Sequence, residues 1–342
     1  MVPVQQESLC EPPVVVPVLW ATTLVPGLQL ERPSAIYRGY DRQYQKATLA
    51  GVSQVEGRSK IIVMNILTFD IEDWYCHDNE SGDMDWSKHE VRIYEGVDRI
   101  LDELSQRKQK ATFFCLGWLA EHHPSVIRKI YDEGHQVGCH SYQHELATRF
   151  DRAAFYGDVE RAQHAIEDVV GAKVELFRAP AFSITQQNTF ALEVLCELGF
   201  TTDCSIFPAE RDYGGMPEYG HDRPAIITCG GVSIKEFPIS PGRVAGRTIV
   251  YSGGGYFRLL PYRMIRYLTA QSEYVMTYFH PSDFDPGQPD MKHLPLLRRW
   301  KNSVGLKGAF SKFCHYLDDF EFVNVAEADE RIDWSAAKKI EL

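Results

Sequence analysis

The chain has 342 residues, enough for one large α/β domain or two smaller ones, and its 44% apolar and 24% charged residues are typical of a soluble globular protein. A formal net charge of -11, without a long basic run, argues against a nucleic-acid-binding surface, since phosphate binding draws on clustered Lys and Arg. No apolar run approaches the roughly 20 residues that a membrane span requires.

The first part of the chain differs from the rest. Prolines interrupt every periodic pattern in residues 1–63, at Pro3, Pro12, Pro13, Pro17, Pro26 and Pro33. We expect a poorly ordered or dispensable leader there, with a short structural element packed on the domain as the alternative. Met64 stands just before a first buried strand, so the folded domain is expected to occupy residues 64–342.

From residue 61 onward, apolar runs alternate with amphipathic ones. The pattern predicts strands over residues 61–69, 111–116, 135–137, 174–177 and 201–205. It predicts helices between them, over residues 93–106, 124–133, 151–170 and 187–198. Five βα-type units in series imply a parallel sheet or barrel, with the chemistry carried by loops at the carboxyl ends of the strands.

The pattern is irregular in the last third of the chain. Residues 214–255 are rich in Gly, Pro and short β-type runs, which predicts an insertion or hairpin lining one rim. Helical spacing resumes over residues 259–268, and a buried strand over 274–279 ends at His280. Residues 294–320 are predicted to be helical with an interruption near Gly305 and Gly308. A short strand over 322–325 is expected to close the chain.

Cysteine usage bears on the compartment. The eight cysteines include no CxxC pair, and Cys115, Cys139, Cys196 and Cys204 lie among apolar neighbours, as reduced core cysteines do. Residues 1–20 contain no Lys or Arg to open a secretory signal. These features predict a cytoplasmic protein.

Polar side chains follow the predicted strands, and in a barrel the strand ends meet around one mouth. In chain order they are Asp70, Glu72, Asp73, His140, His144, Arg178, Asp203 and His280. Two histidines and one carboxylate can occupy three positions of a divalent ion and leave room for water and a substrate carbonyl. A second carboxylate can act as base, an arginine can keep it ionised, and another histidine can protonate an amine leaving group. Each residue alone also has a structural explanation, such as a cap, an ion pair or a core histidine.

The order of these residues carries a resemblance. The chain resembles the NodB-type polysaccharide deacetylases of carbohydrate esterase family 4, in the branch related to peptidoglycan deacetylase and the allantoinase-like proteins. The matching motifs are Thr68-Phe69-Asp70, His140-Ser141-Tyr142-Gln143-His144, Arg178-Ala179-Pro180, Asp203-Cys204-Ser205-Ile206-Phe207-Pro208 and Tyr278-Phe279-His280-Pro281. The resemblance implies an α/β fold, an irregular (β/α)7 barrel, and N-deacetylation of an acetamido sugar. It implies Asp70 as base, His140 and His144 as metal ligands, Arg178 paired with the base, and His280 as acid.

The sequence departs from the family pattern at two points. The family has an aspartate ligand directly after the base, whereas this chain reads Asp70-Ile71-Glu72-Asp73-Trp74. Strand alternation would place Glu72 beside Asp70, and a tight turn would bring in Asp73 instead, so both are candidate ligands. The fourth motif lacks the family's Asp-Trp pair, which leaves Asp203 as a hypothetical partner that orients His280. Asp283 and Asp285 are predicted to cap a loop rather than to take part in the chemistry.

The sequence therefore predicts a hydrolase that binds one divalent ion, with zinc favoured, and removes N-acetyl groups in surface-polysaccharide biosynthesis. Its partner would be an N-acetylated sugar, a sugar nucleotide or a lipid-linked glycan, with no nucleic acid and no membrane span, and a homo-oligomer is compatible with the sequence. Two other hypotheses stay open. One is a metal-independent amidase acting on a small cyclic nitrogen compound. The other is an inactive carbohydrate-binding homologue, although base, ligands and acid are all present in the sequence.

Overall fold

A computed structural model of the chain describes residues 63–76, 85–244, 247–292 and 294–342. The leader predicted over residues 1–63 lies outside the described residues except for its last position, and it stays a prediction. All described residues belong to one compact unit.

The unit alternates strands with helices. The strands are β1 (Met64–Ile66), β2 (Thr68–Ile71), β3 (Thr112–Cys115), β4 (Gln136–Cys139), β5 (Leu176–Phe177), β6 (Thr202–Asp203), β7 (Ala225–Cys229), β8 (Val232–Glu236), β9 (Gly242–Val244), β10 (Arg247–Ile249), β11 (Tyr274–Met276) and β12 (Lys338–Glu341). The helices are α1 (Ile93–Arg107), α2 (Gly117–His122), α3 (Pro124–Asp132), α4 (Arg152–Val170), α5 (Phe190–Glu197), α6 (Gly254–Leu259), α7 (Tyr262–Gln271), α8 (Leu296–Ser303), α9 (Leu306–Asp319) and α10 (Val325–Arg331).

The main sheet curves into an irregular barrel. Its strand order is β12-β7-β8-β6-β5-β4-β3-β2, and every neighbouring pair is parallel except β7 with β8. A parallel bridge from Phe69 to Phe279 brings the segment after β11 beside β2, while β11 itself pairs with β1. On the far side, Tyr274 and Met276 donate hydrogen bonds to the segment that follows β8. Counting β2 to β6, β8 and β11, seven strands surround the interior.

Burial explains why these segments form strands and helices. β2 and β3 are buried along their whole length, as expected for strands of a parallel sheet that is covered by helices on its outer side. Helix α1 buries the stripe Val97, Ile100, Leu101 and Leu104, which has the spacing of one helical face. Helix α4 begins where Asp151 accepts a hydrogen bond from the backbone of Ala154 and ends at a left-handed glycine.

The predicted α/β class and the largely parallel strand arrangement are confirmed, as are the first five strands and the four helices between them to within a few residues of their ends. The fifth predicted βα-type unit lacks its helix, because β6 is followed by β7 and β8. Residues 214–255 contain the predicted hairpin, formed by β7 and β8, but β8 enters the main sheet beside β6 instead of lining a rim. The strand predicted over residues 322–325 is wrong: Val323 makes one isolated bridge, and Val325 begins α10. The helix predicted over residues 259–268 is divided at Pro261.

No helix in the described part of the chain combines the length and the apolar character needed to cross a membrane.

Candidate metal centre and active site

The carboxyl ends of neighbouring strands bring the predicted residues together. Asp70 lies on β2, His140 follows β4, and Arg178 follows β5. His280 follows the segment that is bridged to β2. The close approach of β4 to its neighbours depends on Gly138, where a side chain would collide with Phe114 and with a backbone oxygen of the next strand. The sequence-based expectation of one shared mouth is therefore met for these four residues.

Glu72 and the two predicted histidine ligands form a buried cluster. Glu72 Oε1 lies 2.8 Å from His140 Nε2 and 3.2 Å from His144 Nε2. Ser141 and His144 both have left-handed backbone conformations, with φ of 66° and 55°. Such conformations are uncommon for residues other than glycine and occur where a site imposes them.

The donor set fits a divalent cation. His140 Nδ1 lies 2.7 Å from the carbonyl oxygen of Arg178, which can only accept, so the proton of a neutral His140 is on Nδ1. His140 Nε2 then presents a lone pair directly to a carboxylate oxygen. A lone pair and a carboxylate oxygen repel each other, and a cation held by both groups would remove that repulsion. Tetrahedral zinc would separate its ligand atoms by about 3.3 Å. The His144–Glu72 separation of 3.2 Å lies close to that value, and the His140–Glu72 separation of 2.8 Å is shorter.

Asp73, the alternative carboxylate ligand, is directed elsewhere. Its Oδ2 accepts hydrogen bonds from the backbone amides of Arg92 and Ile93 at 2.8 and 3.0 Å, and its Oδ1 accepts one from Trp74. Asp73 therefore satisfies the amino end of α1, where backbone donors lack helical partners. Of the two candidate ligands, Glu72 is the one whose carboxylate faces the histidines.

Asp70 is held by a fully buried arginine. Arg178 Nη1 donates to Asp70 Oδ1 at 2.7 Å and to Thr68 Oγ1 at 2.7 Å. The guanidinium carbon lies 4.1 Å from the centre of the Phe114 ring. The cation therefore packs on an aromatic ring in the protein interior and is not exposed to solvent. The other oxygen of Asp70 points towards His280, with Nε2 at 3.8 Å. The carboxylate thus has one oxygen fixed and one facing the site.

His280 is aligned by Asp283, which also caps the loop as predicted, because its carboxylate accepts a hydrogen bond from the backbone N–H of His280. Its Nδ1 lies 3.0 Å from Asp283 Oδ2, and Arg258 Nε forms an ion pair with Asp283 Oδ1 at 3.1 Å. Burial opposes the charged imidazole, but Asp283, Glu72 and Asp70 together raise the pKa of His280 to about 9. Burial also acts against ionisation of Asp283, yet His280 and Arg258 lower its pKa below the usual range. The pair is therefore an imidazolium held by a carboxylate.

The hypothesis that Asp203 orients His280 is not supported. Asp203 Oδ1 accepts a hydrogen bond from Ser205 Oγ at 2.5 Å, and Ser205 Oγ in turn accepts the backbone N–H of Ala179. Burial raises the pKa of Asp203, and burial together with the Asp203 charge raises that of the neighbouring Glu236 well above its usual range. Asp203 thus belongs to a buried acid pair that supports the turn after Arg178. The contact between Asp283 and the His280 ring could be recognised only from the fold. In the sequence the two residues are three positions apart, a spacing that also suits a helix cap.

A cleft of about 460 Å³ opens beside these residues. His144, His280 and Asp283 lie at its inner end, and its outer wall comes from α6 and α8. Tyr256 and Trp300, which are each about half exposed, line that wall. Trp300 was not among the sequence-predicted residues, since its helix is distant in sequence from every motif.

Comparison with known families agrees with this arrangement. Residues 66–202 match the polysaccharide deacetylase family, and residues 204–330 match a domain of unknown function, DUF3473. Residues 66–202 thus belong to the polysaccharide deacetylase family. The second matched region continues the same sheet through β7 and β8 and supplies His280, so the two regions share one folded unit.

The chain is similar to proteins of known name over part of its length. It is 29% identical to a peptidoglycan-N-acetylglucosamine deacetylase of Bacillus cereus over 119 residues, which is 34% of this chain and 44% of that protein. It is 33% identical to a chitin deacetylase of Pestalotiopsis sp over 153 residues, which is 44% of this chain and 46% of that protein. The chain spans less than half the length of these curated relatives.

The fold has a counterpart among solved structures. A crystal structure from Mycobacterium smegmatis, whose name assigns it to the polysaccharide deacetylases, superimposes with a TM-score of 0.55 at 20% identity. The match covers 85% of this chain and 97% of that one. At this identity the likeness concerns the fold, and it supports the distorted barrel described above.

Proposed function

We propose that the protein is a metal-dependent hydrolase that removes an N-acetyl group from an amino sugar of a glycan. The observation that carries the proposal is the convergence of Glu72, His140 and His144 beside Asp70 and His280. Membership of residues 66–202 in the polysaccharide deacetylase family supports it. So do the names of two relatives, whose substrates are a peptidoglycan N-acetylglucosamine and chitin.

The chemistry demands three things that these residues can supply. An acetamide carbonyl resists attack by water, its developing oxyanion needs stabilisation, and its nitrogen leaves only when protonated. Glu72, His140 and His144 would hold a divalent ion, with zinc favoured, which when bound polarises the carbonyl and lowers the pKa of a water molecule.

The chain's own groups move the protons. Asp70 accepts a proton from the attacking water as the water oxygen forms a bond to the carbonyl carbon, and the ion pair with Arg178 orients Asp70. His280 then donates its Nε2 proton to the amide nitrogen, the C–N bond breaks, and acetate and a free amine leave. The contact of its Nδ1 with the Asp283 carboxylate favours the protonated form of His280, as a general acid requires.

The finer proposal concerns the substrate and its context. The half-exposed rings of Tyr256 and Trp300 offer flat apolar faces of the kind on which a sugar ring can pack. We infer an acetylated intermediate of surface-polysaccharide biosynthesis, delivered as a sugar nucleotide or a lipid-linked glycan. The cyclic-amidase hypothesis is disfavoured by the two imidazoles that converge on one carboxylate, a set of side chains that suits a divalent ion.

Acetate release tests the proposal. The purified protein, with its metal content measured, is incubated with water-soluble N-acetylglucosamine oligomers before chelation, after chelation and after zinc is added back. We expect release that chelation abolishes and zinc restores. Undiminished turnover after exhaustive chelation would instead support the metal-independent amidase. An absence of release by protein that holds one ion would contradict deacetylation of these glycans.

A further inference from the structure

The basic residues of this acidic chain are concentrated in two stretches. Residues 237–272 contain five arginines, residues 291–317 contain six lysines or arginines, and neither stretch contains an aspartate or glutamate. The rest of the chain holds the other 25 basic residues against all 47 acidic ones, a formal charge of -22. The two stretches supply α6 and α8, which form the outer wall of the cleft.

The same wall exposes large apolar side chains. Nine such side chains are exposed in the part of the chain that the structure describes, and five of these lie on α6 and α8. We call these five the α6/α8 patch: Tyr256, Leu259, Leu296, Leu297 and Trp300. Leu296 and Leu297 are exposed by 79% and 66%. A cluster of this kind beside a cleft is typical of an interaction surface rather than of scattered surface residues.

The composition of α8 identifies the kind of surface it suits. The helix reads Leu-Leu-Arg-Arg-Trp-Lys-Asn-Ser, with aliphatic, indole and basic side chains and no acid. This combination is characteristic of short helices that lie in the plane of a lipid headgroup region. Aliphatic side chains such as Leu296 and Leu297 have no flat face on which a sugar could stack, so a glycan alone does not account for the patch.

We propose that the α6/α8 patch docks the protein on an anionic phospholipid surface, so that the cleft receives an acetylated glycan carried by a membrane lipid. The identity of the glycan rests on the proposed deacetylase function, whereas the docking does not. Attraction of the basic stretches and repulsion of the acidic remainder would orient the cleft towards the lipid surface. On the same helix as the patch, Arg299 is ion-paired with Asp290, and Lys301, whose side chain is 58% exposed, lies 3.9 Å from Asp212.

Direct contacts connect the patch to the reaction centre. Arg258 of α6 donates hydrogen bonds to the carbonyl oxygens of Lys301 and Asn302 at the end of α8. The same side chain forms the ion pair with Asp283, which holds His280. Docking through α8 would therefore place the lipid surface next to the proposed acid.

Vesicle binding tests the docking separately from catalysis. The full chain is sedimented with vesicles of phosphatidylcholine alone and of phosphatidylcholine mixed with phosphatidylglycerol. The test variant combines Leu296→Asp and Leu297→Asp, which remove apolar side chains from the first turn of α8. Acidic residues are favourable at a helix amino end, so this variant is expected to fold. The control combines Tyr94→Asp and Tyr131→Asp, exposed positions on α1 and α3 that add the same charge.

We expect the native protein to bind the anionic vesicles, and added salt to weaken that binding. The test variant should bind at least about ten-fold more weakly, because two apolar side chains no longer enter the interface, and the control should change about two-fold or less. Failure of the native protein to bind anionic vesicles, or equal binding by test variant and control, would overturn the proposal.

Activity on a water-soluble substrate separates this proposal from the deacetylase function. Acetate release from soluble N-acetylglucosamine oligomers should be the same in the native protein and the Leu296→Asp, Leu297→Asp variant. Vesicle binding without acetate release would leave the docking intact and contradict the deacetylase. Acetate release without vesicle binding would support the deacetylase function and overturn the docking. A raised KM for soluble oligomers in the variant, with no vesicle binding by the native protein, would identify the patch as a glycan subsite instead.

Discussion

The two family-matched regions contribute to one site in different ways. Residues 66–202 supply the side chains that would hold the ion and the base, and all of these are at most 5% exposed: Asp70, Glu72, His140, His144 and Arg178. Residues 204–330 supply His280 with its partner Asp283, together with the exposed wall of the cleft. The first region contributes residues at or just after strand ends, whereas the residues contributed by the second lie on short helices and turns.

This difference shows how one fold can separate chemistry from recognition. Strand ends in a packed barrel are rigid, so the metal and base positions are set by the same contacts that hold the core together. Helices α6 and α8 lie at the edge of that core and can present different side chains without disturbing it. Substitutions in the first region should therefore stop the reaction, and substitutions in the second should alter its rate, pH dependence or substrate access.

The largest expected effect lies in the first region, at the proposed base. Asp70→Asn should lower kcat by about 10³- to 10⁴-fold while the ion stays bound, because the three ligands remain and only the proton acceptor is lost. The amide can still accept the hydrogen bond from Arg178, and thermal unfolding will show whether the fold is retained. Acetate release and metal analysis measure the two outcomes. Turnover within ten-fold of the native rate in a folded variant would remove Asp70 from this role.

A second substitution in residues 66–202 decides whether Glu72 or Asp73 is the carboxylate ligand of the ion. Glu72→Gln should lose the ion and roughly 10³-fold in activity at low metal concentration, because a neutral amide replaces the charged ligand. The matched control is Asp73→Asn, whose side-chain oxygen can still accept the backbone hydrogen bonds at the start of α1. Metal content after dialysis is the readout. Loss of the ion from Asp73→Asn alone would make Asp73 the ligand.

In the second region, His280→Ala should reduce amide hydrolysis by about 10²-fold or more and leave the metal content unchanged. An activated acetate ester has a leaving group that needs no proton, so its hydrolysis should fall far less. The ratio of the two rates is the measurement. A uniform loss on amide and ester would show that His280 is not the acid, and a water molecule or another neighbouring group would then take that role.

The smallest effect is expected for a substitution of Asp283, the hydrogen-bond partner of His280. The hydrogen bond that His280 Nδ1 donates to Asp283 helps to raise the pKa of His280, and the acid works only while it is protonated. Activity should therefore fall as pH rises through that pKa, and Asp283→Asn should move this fall to lower pH with a loss of about ten-fold or less near neutrality. A pH–rate profile of both proteins measures the shift. An unchanged alkaline limb would separate Asp283 from the ionisation of His280.

Much of this protein was determined by its sequence alone. The alternation of apolar and amphipathic runs is a local property, and it predicted the α/β class, the first five strands and the four helices between them because each segment buries its own face. The motif order identified Asp70, His140, His144, Arg178 and His280, since parallel strands bring their carboxyl ends to a common edge whatever lies between them. These predictions needed only the spacing of apolar residues along the sequence and the common direction of parallel strands.

Only the tertiary structure decided the remaining points. Glu72 and Asp73 are adjacent carboxylates, and their different roles depend on where the backbone turns and on the amino end of α1, which is distant in sequence. Asp203, which was predicted to orient His280, lies buried beside Glu236, and Asp283 caps the turn after His280 as predicted and also contacts the imidazole ring. The α6/α8 patch depends on two helices far apart in the chain that meet through Arg258. Contacts between distant segments carry no local period, so no pattern within either segment could have revealed them.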